Sequence, residues 1–161
     1  MKEYIDWTIF LGMHHIDKKI RIRCKNFFVT RLNLSKNIYM SFENIGKCDD
    51  IIWTYDQKIQ NFYYPFMDLL HSQAIMNRAP YSLEDFEIYQ SEIHIHNLSL
   101  LDGLSVSMSK NNTLYTYSQD IIQLSLKNIK QPPEAQELFF PKELEELYQK
   151  SLSLVLNVKK Y

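Results

Sequence analysis

Cysteine, glycine and proline are all scarce in this chain of 161 residues, and each scarcity narrows what it can be. Its two cysteines, Cys24 and Cys48, make neither a disulfide framework nor a Cys-x-x-Cys zinc site, so a reducing cytoplasm is the expected compartment. Three glycines and five prolines leave little room for long loops. No apolar run approaches the roughly 18 residues of a membrane span, and no charged-then-apolar leader precedes the first strand. The chain is therefore expected to be cytoplasmic and to have no membrane partner. An excess of charge is missing too: a net charge of −1 gives no global attraction to nucleic acid, and any RNA contact must come from local charge.

What remains is the composition of one globular domain, 45% hydrophobic and 23% charged, in a chain long enough to bury a core. Eleven tyrosines and nine phenylalanines are generous and point to partner-facing surface. Lys18, Lys19, Arg21, Arg23, Lys25, Arg31 and Lys36 form a run with no acid among them. It reads either as a solvated helix face or as a surface that tracks phosphates. The C-terminal stretch carries the balancing acids Glu134, Glu137, Glu143, Glu145 and Glu146.

Hydrophobic spacing predicts a helix from Ile16 to Leu32 with Asp17 near its start. Ser41 is an expected N-cap for a helix through Trp53, and Asp56 to Asn77 reads as another helix, interrupted or kinked at Pro65. Ser82, with Asp85 at the capping-box distance, opens a helix to about His94. Asn97 to Ser99 should turn into a helix containing Asp102, and Leu114 to Thr116 is a short strand leading into Ser118 to Leu124. Gln131-Pro132-Pro133-Glu134 is the expected linker, and Pro141 starts an acidic amphipathic helix with Leu144, Leu147, Tyr148 and Leu152 on one face.

Against that outline, acids recur where a strand hands over to a helix: Asp6, Glu43 with Asp49 and Asp50, Asp102, and Asp120. In an α/β sheet the carboxyl ends of neighbouring strands meet at one crevice, so acids distant in sequence can converge there. Carboxylates held together repel, and a hard divalent cation relieves the repulsion. At about 100° per residue, Glu43 and Asp50 project along nearly one line while Asp49 points away. Glu43 is the first choice for a ligand and Asp50 the second. Lys47 lies on the same line, and an ammonium inside the site would neutralise a carboxylate. Asp6 and Asp102 also have the local context of helix caps. Asp68 is expected to pair with His71 or an arginine, and His94 and His96 alternate as two ligands on a strand face would, without the spacing of a zinc site. Phe27-Phe28 and Tyr63-Tyr64 read as core or dimer interface.

Asp6-Trp7-Thr8 after the opening strand, Ile38-Tyr39-Met40-Ser41 before an acid-bearing helix, Asp102-Gly103-Leu104-Ser105-Val106-Ser107, and Thr116-Tyr117-Ser118-Gln119-Asp120 together resemble the PIN domain, a family of metal-dependent ribonucleases. Within that family they resemble an uncharacterised bacterial PIN-like subgroup. The resemblance implies a three-layer α/β/α fold with a central, mainly parallel sheet over residues 1–130. A linker and an appended C-terminal helix over 131–161 would pack on the domain or on a partner. It further implies cleavage of RNA phosphodiesters with Mg²⁺ or Mn²⁺ held by Asp6, Glu43 or Asp50, Asp102 and Asp120, with Thr8, Thr116 and Ser118 in support. The chain departs from the family at Ser118, where the closing motif has its first acid, and near Gly46 or Lys47, where the helix acid falls. Two other functions follow from those departures and from the appended helix: a catalytically degenerate protein-interaction subunit or homodimer, and the toxin of a toxin–antitoxin pair.

Overall fold

Tyr4 and Ile5 are adjacent in sequence yet enter different cores, and that alternation organises the molecule. The computed structural model describes residues 1–74 and 76–158. Along the chain run β1 (Glu3–Ile5), α1 (Trp7–Gly12), α2 (Lys18–Asn33), β2 (Ile38–Ser41), α3 (Phe42–Ile52), α4 (Gln57–Gln73) and β3 (Met76–Ala79). Then follow α5 (Leu83–Ser91), α6 (Ile93–His96), α7 (Leu100–Met108), β4 (Thr113–Tyr115), α8 (Gln119–Gln123), β5 (Ile129–Lys130) and α9 (Lys142–Ser151). The strands form one five-stranded sheet in the order β3-β2-β1-β4-β5, every neighbour parallel. Tyr4 lies opposite Tyr39 on one side and Leu114 on the other. Helices cover both faces, so the fold is the three-layer α/β/α expected from the sequence.

Ile5, Ile38 and Met40 belong to the larger core, which they share with α1 to α4 and α9; Tyr4 and Leu114 belong to a smaller one with Ile95, Val106 and Ile121. Strands this short contribute few ladder bonds, so burial on both faces carries the sheet, as parallel sheets require. Helix starts follow local chemistry. Asp17, Ser41, Asp56, Ser82 and Ser99 each accept an amide of the first turn, and Ser82 with Asp85 closes a capping box.

Several boundaries differ from the sequence expectation. The helix expected from Ile16 starts at Lys18 because Asp17 caps it, and Ile16 is exposed with its amide bonded to the Leu156 carbonyl. Pro65 lies inside α4, which ends at Gln73 rather than Asn77. Met76–Ala79 instead pairs residue for residue with Ile38–Ser41, while Ile75, inside the expected helix, lies outside the described residues. The helix expected to reach His94 breaks at Glu92, so His94 and His96 sit exposed on α6 and not on a strand. His71 accepts from Arg78, the arginine pairing expected instead for Asp68. Among the described residues no helix is long and apolar enough to cross a membrane.

The segment after residue 131 packs on the domain. Phe140, Leu144, Tyr148, Leu154, Leu156 and Val158 complete the larger core, and the Tyr148 hydroxyl donates to the Met13 carbonyl at 2.8 Å. Residues 159–161 of that expected unit lie outside the described ones. Much of the basic run is spent inside the protein, Lys25 and Arg23 on this segment and Arg21 and Arg31 on the N-terminal residues. Lys25 is buried with Nζ 2.8 Å from Glu137 and 2.9 Å from Glu145, Arg23 donates to the Pro132 carbonyl, Arg21 to that of His15, and Arg31 grips Glu3 through two bonds of 2.9 Å. Lys18, Lys19 and Lys36 stay exposed.

Gly103 lets α7 touch α5, because a Cβ there would strike the edge of the Tyr89 ring and come within 3.3 Å of the Ile95 carbonyl oxygen. Gly103→Ala should therefore cost about 1–3 kcal/mol of stability in urea unfolding through overpacking. Gly46, also helical, has open space where its Cβ would be, and Gly46→Ala should gain up to about 1 kcal/mol from helix propensity. Equal effects would show that the Tyr89 contact does not limit the packing of α5.

Candidate functional site

In this strand order the chain leaves β1 toward β2 and β3 on one side and returns to β4 and β5 on the other, so β1 and β4 flank the switch point where α/β sheets open a crevice. A cleft of about 440 Å³ lies there, lined among others by Thr8, Lys47, Asp102, Ser118, Gln119 and Asp120.

Asp6 ends β1 and caps α1, its Oδ1 accepting the Thr8 amide at 3.0 Å and the Ile9 amide at 3.4 Å. The Thr8 hydroxyl donates to the same oxygen and the Thr116 hydroxyl to Oδ2, so both oxygens of this fully buried carboxylate are engaged. The hydroxyls in turn accept from the far wall: the Tyr117 amide donates to Thr8 at 2.7 Å and the Ser118 amide to Thr116 at 2.8 Å. Asp6 thus ties the end of β1 to the residues that follow β4. Burial pushes its carboxyl up to about 6, against the pull of the Thr116 and Thr8 hydroxyls, and Asp102 adds to the rise.

Asp102 stands in the first turn of α7 and accepts the Ser118 hydroxyl at 3.1 Å. Burial raises its carboxyl, the Ser118 bond opposes that, and Asp120 raises it further. Asp120 itself is exposed at the start of α8.

The model of DUF6190, a family of unknown function, matches residues 1–161. The chain belongs to that family. No curated protein matches it.

Of the acids singled out in this DUF6190 member, Asp102 and Asp120 share the cleft, and Asp6 sits behind its Thr8 wall, close enough to act on Asp102. Glu43 and Asp50 are exposed and do not line the cleft, and Asp49 accepts from the Tyr64 hydroxyl at 3.3 Å. The physical reason is the rotation of α3: Cys48, Ile51 and Ile52 face the core, which turns Asn44 inward and Lys47 to the cleft. Among the described residues no three His, Cys, Asp or Glu side chains are grouped closely enough to hold a metal. The donor set still suits a hard cation of the Mg²⁺ type, which takes one or two carboxylates and completes its shell with water and substrate phosphate.

Sequence reasoning missed Asn44. Its Oδ1 accepts the Trp7 amide at 3.1 Å, and its Nδ2 donates to Ser41 and Ser105, each at 2.9 Å. The Tyr81 hydroxyl joins the same two serines at 3.0 and 3.2 Å. The network fixes α3 and α7 against α1; a lone asparagine in an amphipathic helix carries no signal of it.

Proposed function

We propose that this chain is a PIN-like, metal-dependent ribonuclease of weakened activity, and the observation that carries the proposal is the pairing of Asp102 with Asp120 in one polar cleft at the switch point. Asp102 and Asp120 would hold one Mg²⁺ or Mn²⁺. When bound, the ion supplies an activated water and offsets the charge that develops on the phosphoryl oxygens. Ser118 orients the Asp102 carboxylate through its hydroxyl, and Asp6 is a positioning residue that holds Thr8 and Thr116 in place. With a hydroxyl at residue 118 in place of an acid, the site relies on substrate phosphate to complete the ion's shell.

Ser118→Asp should tighten Mn²⁺ binding about tenfold, roughly 1.4 kcal/mol, by supplying a third carboxylate. It should also raise cleavage of single-stranded RNA, whereas Asp102→Asn and Asp120→Asn abolish both. Mn²⁺ titration and a gel assay on labelled RNA test this. Metal binding without cleavage in every variant would remove the nuclease.

A second reading is a protein-interaction subunit, and one observation favours it: α5 buries none of its residues. Leu83 and Phe86 on α5, Ile93 on α6 and Leu100 on α7 are all exposed. A toxin held silent by a small antitoxin would use a surface of the same kind.

A further inference from the structure

We infer that Lys47 is the phosphate-binding group of the cleft, a specificity residue that makes occupation by a cation depend on RNA being present; the inference rests on the reading of the cleft as an RNA site. Lys47 lines the same cleft as Asp102 and Asp120 and holds its Nζ 5.8 Å from the centre of the Trp7 ring. Among the described residues none of the ion pairs involves it. The other interior and half-buried cations are committed: Lys25 to Glu137 and Glu145, Arg31 to Glu3, Arg21 and Arg23 to carbonyls. Among the described residues Lys47 is left as a half-buried ammonium lining an open cleft, supported on an indole face that steadies it without neutralising it.

An ammonium in this position acts in two opposite directions. It opposes a divalent cation between Asp102 and Asp120 while the cleft holds no anion, because like charges in a partly buried site repel. It attracts a phosphodiester oxygen, and once that anion is seated the local charge again favours a divalent ion. RNA and cation therefore bind with positive coupling, and linkage requires the coupling to be reciprocal. The exposed Lys18 on α2 lies outside the cleft and serves as a control for the rival view that phosphates track the basic face of α2.

The experiment measures two affinities in the full chain for the wild type, Lys47→Gln, Lys47→Arg and Lys18→Gln, each checked for unchanged thermal unfolding. One is Mn²⁺ alone. The other is a short single-stranded oligoribonucleotide in Ca²⁺, with the strand verified intact by gel. Lys47→Gln should tighten Mn²⁺ several-fold and weaken the oligonucleotide about fivefold or more, lowering the salt slope of binding by about 0.7 for one lost phosphate contact. Lys47→Arg should retain both wild-type values, and Lys18→Gln should alter neither. Opposite changes in the two affinities are not what general damage to the fold produces. Oligonucleotide binding that is lost in Lys18→Gln but kept in Lys47→Gln overturns the inference, and so does a wild type that binds no oligonucleotide. Cleavage is scored separately: if the Lys47 effects hold and no variant cuts RNA, the nuclease falls and the phosphate site stands. If Asp102-dependent cleavage is present and Lys47→Gln changes neither affinity, the reverse is true.

Discussion

Asp6→Asn should be more stable than the wild type at pH 7, by about 1–2 kcal/mol, and should lose that advantage by pH 4. Its carboxyl is held at about 6 in the fold, above its ordinary value of 3.8, chiefly by burial. A raised carboxyl pKa means that the folded protein keeps the proton more tightly than the unfolded chain. Stability is then greatest below the unfolded pKa and falls as pH rises toward 6, in total by about 3 kcal/mol at 1.36 kcal/mol per unit. Asparagine removes the charge and so removes that slope. It gives back part of the gain because the Thr116 hydroxyl loses its acceptor, a loss of about 1 kcal/mol. Asp6→Ala is the contrasting case. It strands the hydroxyls of Thr8 and Thr116 and removes the cap of α1, so it should destabilise at every pH, by at least about 2 kcal/mol at pH 7 and more at pH 4. Urea unfolding in chelator between pH 4 and 7 reads all three proteins. A wild type that gained stability over this range relative to Asp6→Asn would show that Asp6 ionises more easily in the fold than out of it, contrary to its burial.

The second large effect concerns Lys25. Its ammonium is fully buried between Glu137 and Glu145, with the Phe139 ring centre 4.5 Å away and that of Tyr148 4.9 Å away. Lys25→Ala leaves two partly buried carboxylates without their cation and empties the space among the rings, and should cost about 3–5 kcal/mol. Lys25→Met fills that space with a chain of similar length. It should cost roughly half as much, because both glutamates retain some solvent contact. Limited proteolysis locates the effect: cleavage should appear between residues 131 and 141, the extended stretch that Lys25 and Asn26 hold down. Resistance of that stretch in Lys25→Ala would mean that the α9 packing alone secures it.

The parts of the molecule legible in its sequence are those with local causes. Ser41, Asp56 and Ser82 announce helix starts because a cap is chemistry between residues two or three apart. The parallel α/β layering follows from strands alternating with helices, and Asp6 and Asp120 stand out as acids at strand-to-helix handovers, whereas Asp102, expected at another, opens α7 directly after helix α6. The strands β3 and β5 were not legible. Met76–Ala79 and Ile129–Lys130 are short and at most partly buried, and partners far along the chain make them strands. The fourth acid was misplaced for a similar reason. The rotation of α3 is set by what Cys48, Ile51 and Ile52 meet in the core, so the residues presented inward and toward the cleft are Asn44 and Lys47, not Glu43. Lys25 looked like one more cation in a basic run, and nothing local marks it as the one that is buried.

The central strand sets a schedule for biosynthesis. β1 leaves the ribosome before the other strands of its sheet, yet one of its two neighbours is β4, and Asp6 waits for Thr116, 110 residues later. Met13 waits longer, 135 residues, for Tyr148. At about 5–20 residues per second the nascent chain spends many seconds with its most apolar opening stretch, Trp7 to Met13, lacking part of its cover. Closing such distant contacts also makes folding slow relative to helical proteins of equal size. The larger core is therefore closed only once Tyr148 has been made, and until then the apolar stretch from Trp7 to Met13 is open to any chaperone that binds exposed apolar segments.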